Sequence, residues 1–493
     1  MDTLKKSLFA EKLTNIYLCL ILFFLPLVFN KGFYNISQSK SLCFLVLSIL
    51  FIFCYLIYKI IYLIVYKKIS LKPVILDWAV VIFAVANIIS SVFSKYGNDV
   101  WIGKNSRLQG GLIILIYAII YFIISNNLSQ KSVFQPLLVL SFCIVSLVAI
   151  LNSFDIDILG IISGLTEDDK ERFISTIGNI NFFSSYVCLC FPFIITIYCN
   201  TEEIVKKYHY LIAVILGSLA MVLTSSESFV IGFIAFLIIY LFFCFKNSVK
   251  LIRYLETLII LFITSAIFSY ILKLANICNY IISDLLRILL NPFVAGCIII
   301  LCFIMRAIIK KHNECITVIR NVYIILLAVS FITIAFLFVY ANFKSLGFLD
   351  KYFKITDSWG TSRGYIYKKC FEILKDFSVK EWLIGIGPET LQNVFDYSGG
   401  DFIDQAHSEY LQFLLTTGTV GLLSYLFIIC SVTILIVKEL MDDNISIALF
   451  MGLIAYWFQA MFNIAQSFTT PFVYLFIAII SGIYKNKISE RRK

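Results

Sequence analysis

The sequence predicts an all-α, polytopic membrane helix bundle of about fourteen spans, with a long outer loop that contains amphipathic helices. Hydrophobic residues make up 60% of the 493 residues and charged residues only 14%, and the mean hydropathy is +0.93. Soluble globular proteins carry about 25% charged residues. The composition therefore argues against a soluble enzyme, a secreted disulfide scaffold and a nucleic-acid-binding protein.

Apolar runs that are long enough to cross a bilayer recur along the whole chain. A membrane helix needs about 20 predominantly apolar residues. The first run lacks a small-residue cleavage site, so it is interpreted as a span rather than a signal peptide. Runs 111–125 and 209–224 are the shortest candidates. The predicted spans are 13–30, 42–66, 74–93, 111–125, 133–151, 182–199, 209–224, 228–245, 254–271, 290–309, 321–341, 419–437, 446–463 and 468–484.

The positive charges predict the orientation of these spans. An even number of spans places both basic termini on one side, and the positive-inside rule makes that side the cytoplasm. We therefore expect a multi-pass protein of the cytoplasmic membrane whose long loop faces outside. The predicted organisation is N-terminal membrane spans over 1–341, an outer catalytic loop over 342–408 and C-terminal membrane spans over 409–493.

The cysteines and the ionisable residues of the spans argue against a metal or cofactor site and against an ion-coupled transporter. Cys278 and Cys370 lie outside the spans, in predicted outer loops; a bridge between them stays open, although free thiols are favoured. No CxxC or His-rich spacing predicts a metal site or a cofactor. Asp77 lies at a helix entrance, where it is expected to face water, and an ion-coupled transporter would need more charged residues within its spans.

The histidines and one arginine single out the long outer loop. His209 and His312 are predicted at the cytoplasmic surface, whereas His407 ends the outer loop. His407 would suit a general base near neutral pH, or it could be an interfacial residue that caps a helix; both interpretations stay open.

An amphipathic helix is predicted upstream of His407, from an apolar stripe at Ile366, Cys370, Ile373 and Phe377. Thr361 or Ser362 would cap this helix and place Arg363 in its first turn. A cation there opposes the helix dipole, so a bound anion explains it better than helix stability does.

Two other outer loops also carry arginines, Arg107 in the segment 101–111 and Arg172 in the segment 168–181. Either arginine could be an ordinary solvated loop charge. Together with Trp101 they would also suit an anionic lipid that bears a sugar, although a tryptophan at this level is equally an interface anchor.

Several motifs, taken in chain order, resemble the O-antigen ligase and polymerase superfamily of bacterial membrane glycosyltransferases. The resemblance covers roughly residues 95–435, and the block 361–425 is its specific part. The motifs are Gly103…Arg107…Gly110-Gly111, Gly178-Asn179-Ile180-Asn181, Leu223-Thr224-Ser225-Ser226, Arg363, Gly385-x-Gly387-Pro388, Ala406-His407-x-x-Tyr410-Leu411, Gly418 and Gly421.

The resemblance implies a reaction and its site residues. Members of the superfamily transfer a glycan from an undecaprenyl diphosphate-linked donor to a sugar hydroxyl of a glycan or glycolipid acceptor on the outer side of the membrane, without a metal or cofactor. The expected partners are this donor, this acceptor and membrane lipids. Arg363 would hold the diphosphate, and His407 would act as the base or orient the acceptor. Asp404 and Glu409, which flank His407, could set its tautomer. Further substrate contacts are expected at Arg107, Arg172, Asn181 and Tyr410.

The sequence departs from the family pattern at three positions, which leaves the subclass open. Ser408 follows the histidine where family members often have Asn, Ile180 replaces a Pro, and Glu227 occupies a position where many members have Arg. Arg172 is the predicted substitute for that arginine.

Other functions stay open beside a ligase or polymerase of surface polysaccharide. A protein O-oligosaccharyltransferase would share the same site. A lipid-linked oligosaccharide flippase often has fourteen spans, but it would be expected to line a central cavity with charged residues. A cell-wall polymerase of the shape and division type usually has fewer spans and a catalytic Asp.

Overall fold

The computed structural model describes residues 2–30, 35–66, 73–103, 108–129, 133–162, 164–170, 172–275, 282–395 and 403–491. Within these ranges, thirteen helices are long and apolar enough to cross a membrane, and Gly111–Asn127 is a shorter apolar helix. These fourteen helices coincide with the fourteen predicted spans. The prediction of an all-α polytopic bundle is confirmed, and the protein is a multi-pass membrane protein.

The elements follow one another in a simple order. The helices are α1 (Asp2–Cys19, continued by a π turn Leu20–Phe24 and a 3-10 turn Leu25–Leu27), α2 (Ile36–Tyr66), α3 (Ile75–Phe93), α4 (Asp99–Ile102), α5 (Gly111–Asn127), α6 (Phe134–Ser153), α7 (Glu167–Lys170), α8 (Ile180–Asn200), α9 (Ile204–Val222), α10 (Glu227–Cys244), α11 (Ser248–Leu274), α12 (Asp284–Leu289), α13 (Pro292–Lys311), α14 (Ile316–Phe343), α15 (Asp350–Phe353), α16 (Trp359–Lys375), α17 (Val379–Ile384), α18 (Glu409–Glu439), α19 (Asn444–Gln459) and α20 (Thr469–Arg491). Two short strands, β1 (Phe173–Ile174) and β2 (Gly178–Asn179), pair antiparallel just before α8.

Helix α8 lies at the centre of the bundle and α14 at its edge. In α8, 94% of the apolar window is buried inside the protein, whereas none of the window of α14 is. Helix α8 packs against α9 and α19. Because lipid is as apolar as a protein core, α14 can expose its apolar side chains to lipid without penalty.

Segments that are predicted to lie on the same side of the membrane are found at the same end of the bundle. At one end, Arg491 of α20 contacts Glu439 of α18 at 3.1 Å, and Arg253 of α11 donates to the carbonyl of Cys199 in α8 at 3.3 Å. The starts of α8, α10 and α12 lie at the opposite end, together with the start of α16, which contains Arg363. The predicted parity of the spans agrees with this grouping. Which end faces the cytoplasm stays a prediction.

Asp77 does not face water, so that expectation was wrong. Its side chain is buried and forms an ion pair with Lys485 at 2.9 Å, and Tyr121 donates a hydrogen bond to it at 2.7 Å. This contact joins the start of α3 to the end of α20. Since the partners are 408 residues apart, the local sequence could not predict it.

The segment between α14 and α18 is fastened to α18 by the Gly385–Pro388 turn. The backbone N–H groups of Ile386 and Gly387 donate to the carbonyls of Leu415 and Thr416, at 3.1 and 2.8 Å. Helix α18 is kinked at Gly418, where φ is +67°. The glycine-rich motif therefore shapes the backbone.

Cys370 lies in a small apolar core within the segment between α14 and α18, with Leu374 and Leu391. It is a free, buried cysteine, and burial raises the pKa of its thiol to about 12. Cys278, the other candidate partner, lies outside the described residues.

Candidate functional site

A polar cleft of about 610 Å³ opens at the end of the bundle where the segment between α14 and α18 lies. Its walls are formed by the starts of α8, α10 and α12, by α15 and α16, and by His407. The described polar residues on its walls are Asn181, Ser225, Ser226, Glu227, Ser283, Asp284, Lys351, Tyr352, Thr356, Ser358, Thr361, Arg363 and His407. The cleft therefore brings together Arg363, His407 and Asn181, which belong to separate motifs in the sequence.

Arg363 enters the cleft from an irregular turn. Gly360, Thr361 and Ser362 have left-handed φ values of 59°, 61° and 68°, so the regular part of α16 begins at Arg363. The predicted first-turn position of Arg363 is confirmed. The predicted cap by Thr361 or Ser362 was wrong, because both residues have left-handed backbone and neither side chain caps the helix.

The guanidinium of Arg363 has spare hydrogen-bonding capacity. One terminal nitrogen donates to the carbonyl of Gly360 at 2.7 Å, while the buried Nε has no hydrogen-bond partner among the described residues. Burial lowers the pKa of Arg363 from its ordinary value, but an arginine retains its charge throughout the physiological range. A half-buried cation with an unpaired donor at the wall of a cleft is suited to an anionic ligand, since native proteins rarely leave buried donors unpaired.

His407 is fixed to α16 through Tyr367. The hydroxyl of Tyr367 donates to the backbone carbonyl of His407 at 3.3 Å, and burial raises the pKa of Tyr367 to about 12, so the phenol keeps its proton. The side chain of Ser408 accepts a hydrogen bond from the N–H of Leu411 and caps α18. Ser408 therefore caps α18, and His407 lines the cleft.

Backbone strain is concentrated at the cleft. Among the described residues, eight that are not glycine have positive φ, and Ser225, Thr361 and His407 on the cleft walls are three of them. Left-handed backbone costs a residue other than glycine roughly 1–2 kcal/mol. Such strain clusters at functional sites, where the surrounding structure holds side chains in a required position.

Three charged side chains of the cleft were not predicted from the sequence to belong to the site, namely Lys351, Asp284 and Glu227. Lys351 of α15 forms an ion pair with Asp284 of α12, and Glu227 begins α10. The hydrogen bond from Lys351 lowers the pKa of Asp284 below its usual range and raises that of Lys351. In the sequence these residues resemble solvated loop charges, and only the departure at Glu227 drew attention to one of them.

The other predicted binding residues are distributed around the bundle. Asn181 is exposed at the start of α8 and lines the cleft. Arg172 is exposed beside β1, its carbonyl accepts from the N–H of Ile180 at 2.9 Å, and it is not among the described residues on the cleft walls. Arg107 lies outside the described residues.

The residues that follow His407 point into the bundle. Tyr410 donates to the carbonyl of Trp457 in α19 at 2.9 Å, and it is not among the described cleft residues. Glu409 is buried, and its two carboxylate oxygens accept hydrogen bonds from Tyr425 and Tyr456. Glu409 therefore fastens α18 to α19, which does not support a role in setting the tautomer of His407.

The fold and the cleft define a multi-pass membrane protein with a polar, charged site at one end of its helix bundle. Residues 292–426 match the family model described as O-antigen ligase. The matched segment runs from α13 into α18 and includes Lys351, Arg363 and His407. The match confirms the resemblance to the O-antigen ligase and polymerase superfamily, and it supports a membrane glycosyltransferase-like role in polysaccharide biosynthesis. No curated protein and no solved structure matches the chain.

Proposed function

We propose that this protein transfers or polymerises glycan from an undecaprenyl diphosphate-linked donor onto a sugar acceptor at the outer face of the cytoplasmic membrane. The observation that carries the proposal is the unpaired Nε of Arg363 in the same cleft as His407, within the segment that matches O-antigen ligase. An arginine with free donors is suited to a phosphate, and an imidazole to a hydroxyl proton.

The chemistry assigns one task to each side chain. His407 takes the proton from the acceptor hydroxyl, whose oxygen attacks the anomeric carbon of the donor sugar. The bond from that carbon to the diphosphate oxygen breaks, and its electron pair leaves with the diphosphate. Arg363 stabilises the negative charge that develops there. Asn181, at the start of α8, is proposed to bind the glycan. Arg172 and Arg107 are proposed to contact the substrate from neighbouring loops.

The orientation of the protein is part of the proposal. The cleft lies at the end of the bundle opposite the basic C-terminal helix end, where Arg491 and Lys487 contact the end of α18. The positive-inside rule then places the basic end in the cytoplasm and the cleft outside.

A protein O-oligosaccharyltransferase is the second candidate, because a protein hydroxyl would enter the same cleft as a sugar hydroxyl. A flippase is less well supported, since the match to O-antigen ligase includes the cleft residues of the outer segment.

A reconstituted assay tests the proposal. Wild-type protein in vesicles that contain undecaprenyl diphosphate-linked glycan and a glycolipid acceptor is expected to form product and release undecaprenyl diphosphate in equal amounts. Movement of the lipid-linked glycan across the vesicle without product would establish a flippase instead. Transfer to a supplied protein, but not to a glycan, would establish the oligosaccharyltransferase.

A further inference from the structure

We propose that Lys351 is a second cation that binds the donor's diphosphate, and that Asp284 holds Lys351 at the cleft until the phosphates displace it. This inference rests on the proposed function for the identity of the ligand, but it concerns residues to which neither the family match nor the sequence analysis gives a role.

The charges of the cleft are balanced before a ligand enters. Its described charged side chains are two cations, Arg363 and Lys351, and two acids, Glu227 and Asp284. A diphosphate diester carries negative charge on both phosphates, so it must compete with these acids for the cations. One cation is therefore insufficient, and the second has to be released from its acid when the ligand binds.

Lys351 is the cation that can be released. Arg363 is half-buried and donates to the backbone of Gly360, whereas the side chains of Lys351 and Asp284 are 64% and 32% exposed. An exposed ion pair contributes little to stability because water and salt screen it. Exchange of the carboxylate for phosphate oxygens is consequently close to neutral for the fold, and the flexible lysine side chain can follow the ligand.

Asp284 keeps a partner after this exchange. Arg287, one turn later in α12, lies 3.7 Å from the same carboxylate. When Lys351 moves to the phosphates, Asp284 is still paired on its own helix. The arrangement thus allows an ion pair to open without leaving an isolated acid beside the bound anion.

Binding of inorganic pyrophosphate to the purified full-length protein tests the inference, because it requires neither donor lipid nor transfer. Lys351→Met should weaken binding by roughly threefold to tenfold, as expected for the loss of one solvent-accessible charge contact. Asp284→Asn should tighten binding by a similar factor, since it frees Lys351. The double variant should bind like Lys351→Met, because Asp284 acts only through Lys351. Lys351→Arg should retain binding.

The control is Lys344→Met. Lys344 is an exposed lysine in the connection between α14 and α15, and it is not among the described cleft residues. Equal binding by Lys351→Met and Lys344→Met would overturn the inference. So would weaker binding by Asp284→Asn, because it would show that the ion pair merely holds α15 in place. If Arg363→Lys weakens binding and Lys351→Met does not, the inference fails while the proposed function stands. Absence of binding to the wild-type protein would contradict both.

Discussion

His407→Ala is expected to lower the rate of glycan transfer by roughly 10²- to 10⁴-fold, the usual contribution of a general base. The initial rate at saturating donor and acceptor measures the effect. His407→Asn should lose as much activity, although Asn tolerates the left-handed φ of 49° at this position. Loss in both variants would therefore reflect the missing base rather than backbone strain.

His209→Ala is the matched control for His407→Ala. His209 is exposed in α9, where its ring contacts the carbonyl of Val205, and it is not among the described cleft residues. Its replacement should leave transfer unchanged. Transfer at the wild-type rate by folded His407→Asn would remove His407 from the mechanism.

Gly385→Ala is expected to destabilise the fold by at least about 3 kcal/mol, through left-handed strain and an overlap that no rotamer relieves. Gly385 has φ of +71°, and a Cβ there would lie 2.3 Å from the carbonyl carbon of Thr416. The clash is with backbone at the kink of α18, so the turn and the helix would have to separate. Thermal or denaturant unfolding of the purified protein measures the loss.

Gly347→Ala separates the two contributions. Gly347 also has positive φ, +65°, but nothing lies within 4 Å of its Cβ position. Only the backbone strain applies, so the expected destabilisation is roughly 1 kcal/mol. Equal stability losses for the two variants would show that the contact between the turn and α18 is unimportant.

The spans, and the choice of Arg363 and His407 as candidates, followed from the sequence because each rests on a local property. A bilayer fixes the length of an apolar run, so even Gly111–Asn127 was found. Arg363 and His407 stood out because helix stability did not explain the arginine and because His407 lay at the end of the outer loop.

The contacts between distant segments could not be predicted in the same way. Lys351 and Asp284 are 67 residues apart, and a charged loop residue is ordinarily solvated. Tyr410 shares a motif with His407, yet the helix turns it towards Trp457 and away from the described cleft. Residues that are close in sequence can point in different directions once a helix begins.

Transfer by Arg363→Ala in vesicles tests the central claim most directly, namely that this cleft stabilises the leaving diphosphate. The formation of product and the release of undecaprenyl diphosphate should both fall by roughly 10²- to 10³-fold, as when a preorganised donor to a developing charge is removed. Lys375→Ala, an exposed lysine at the end of the same helix, should behave like the wild type. Folded Arg363→Ala that releases undecaprenyl diphosphate at the wild-type rate would contradict the account.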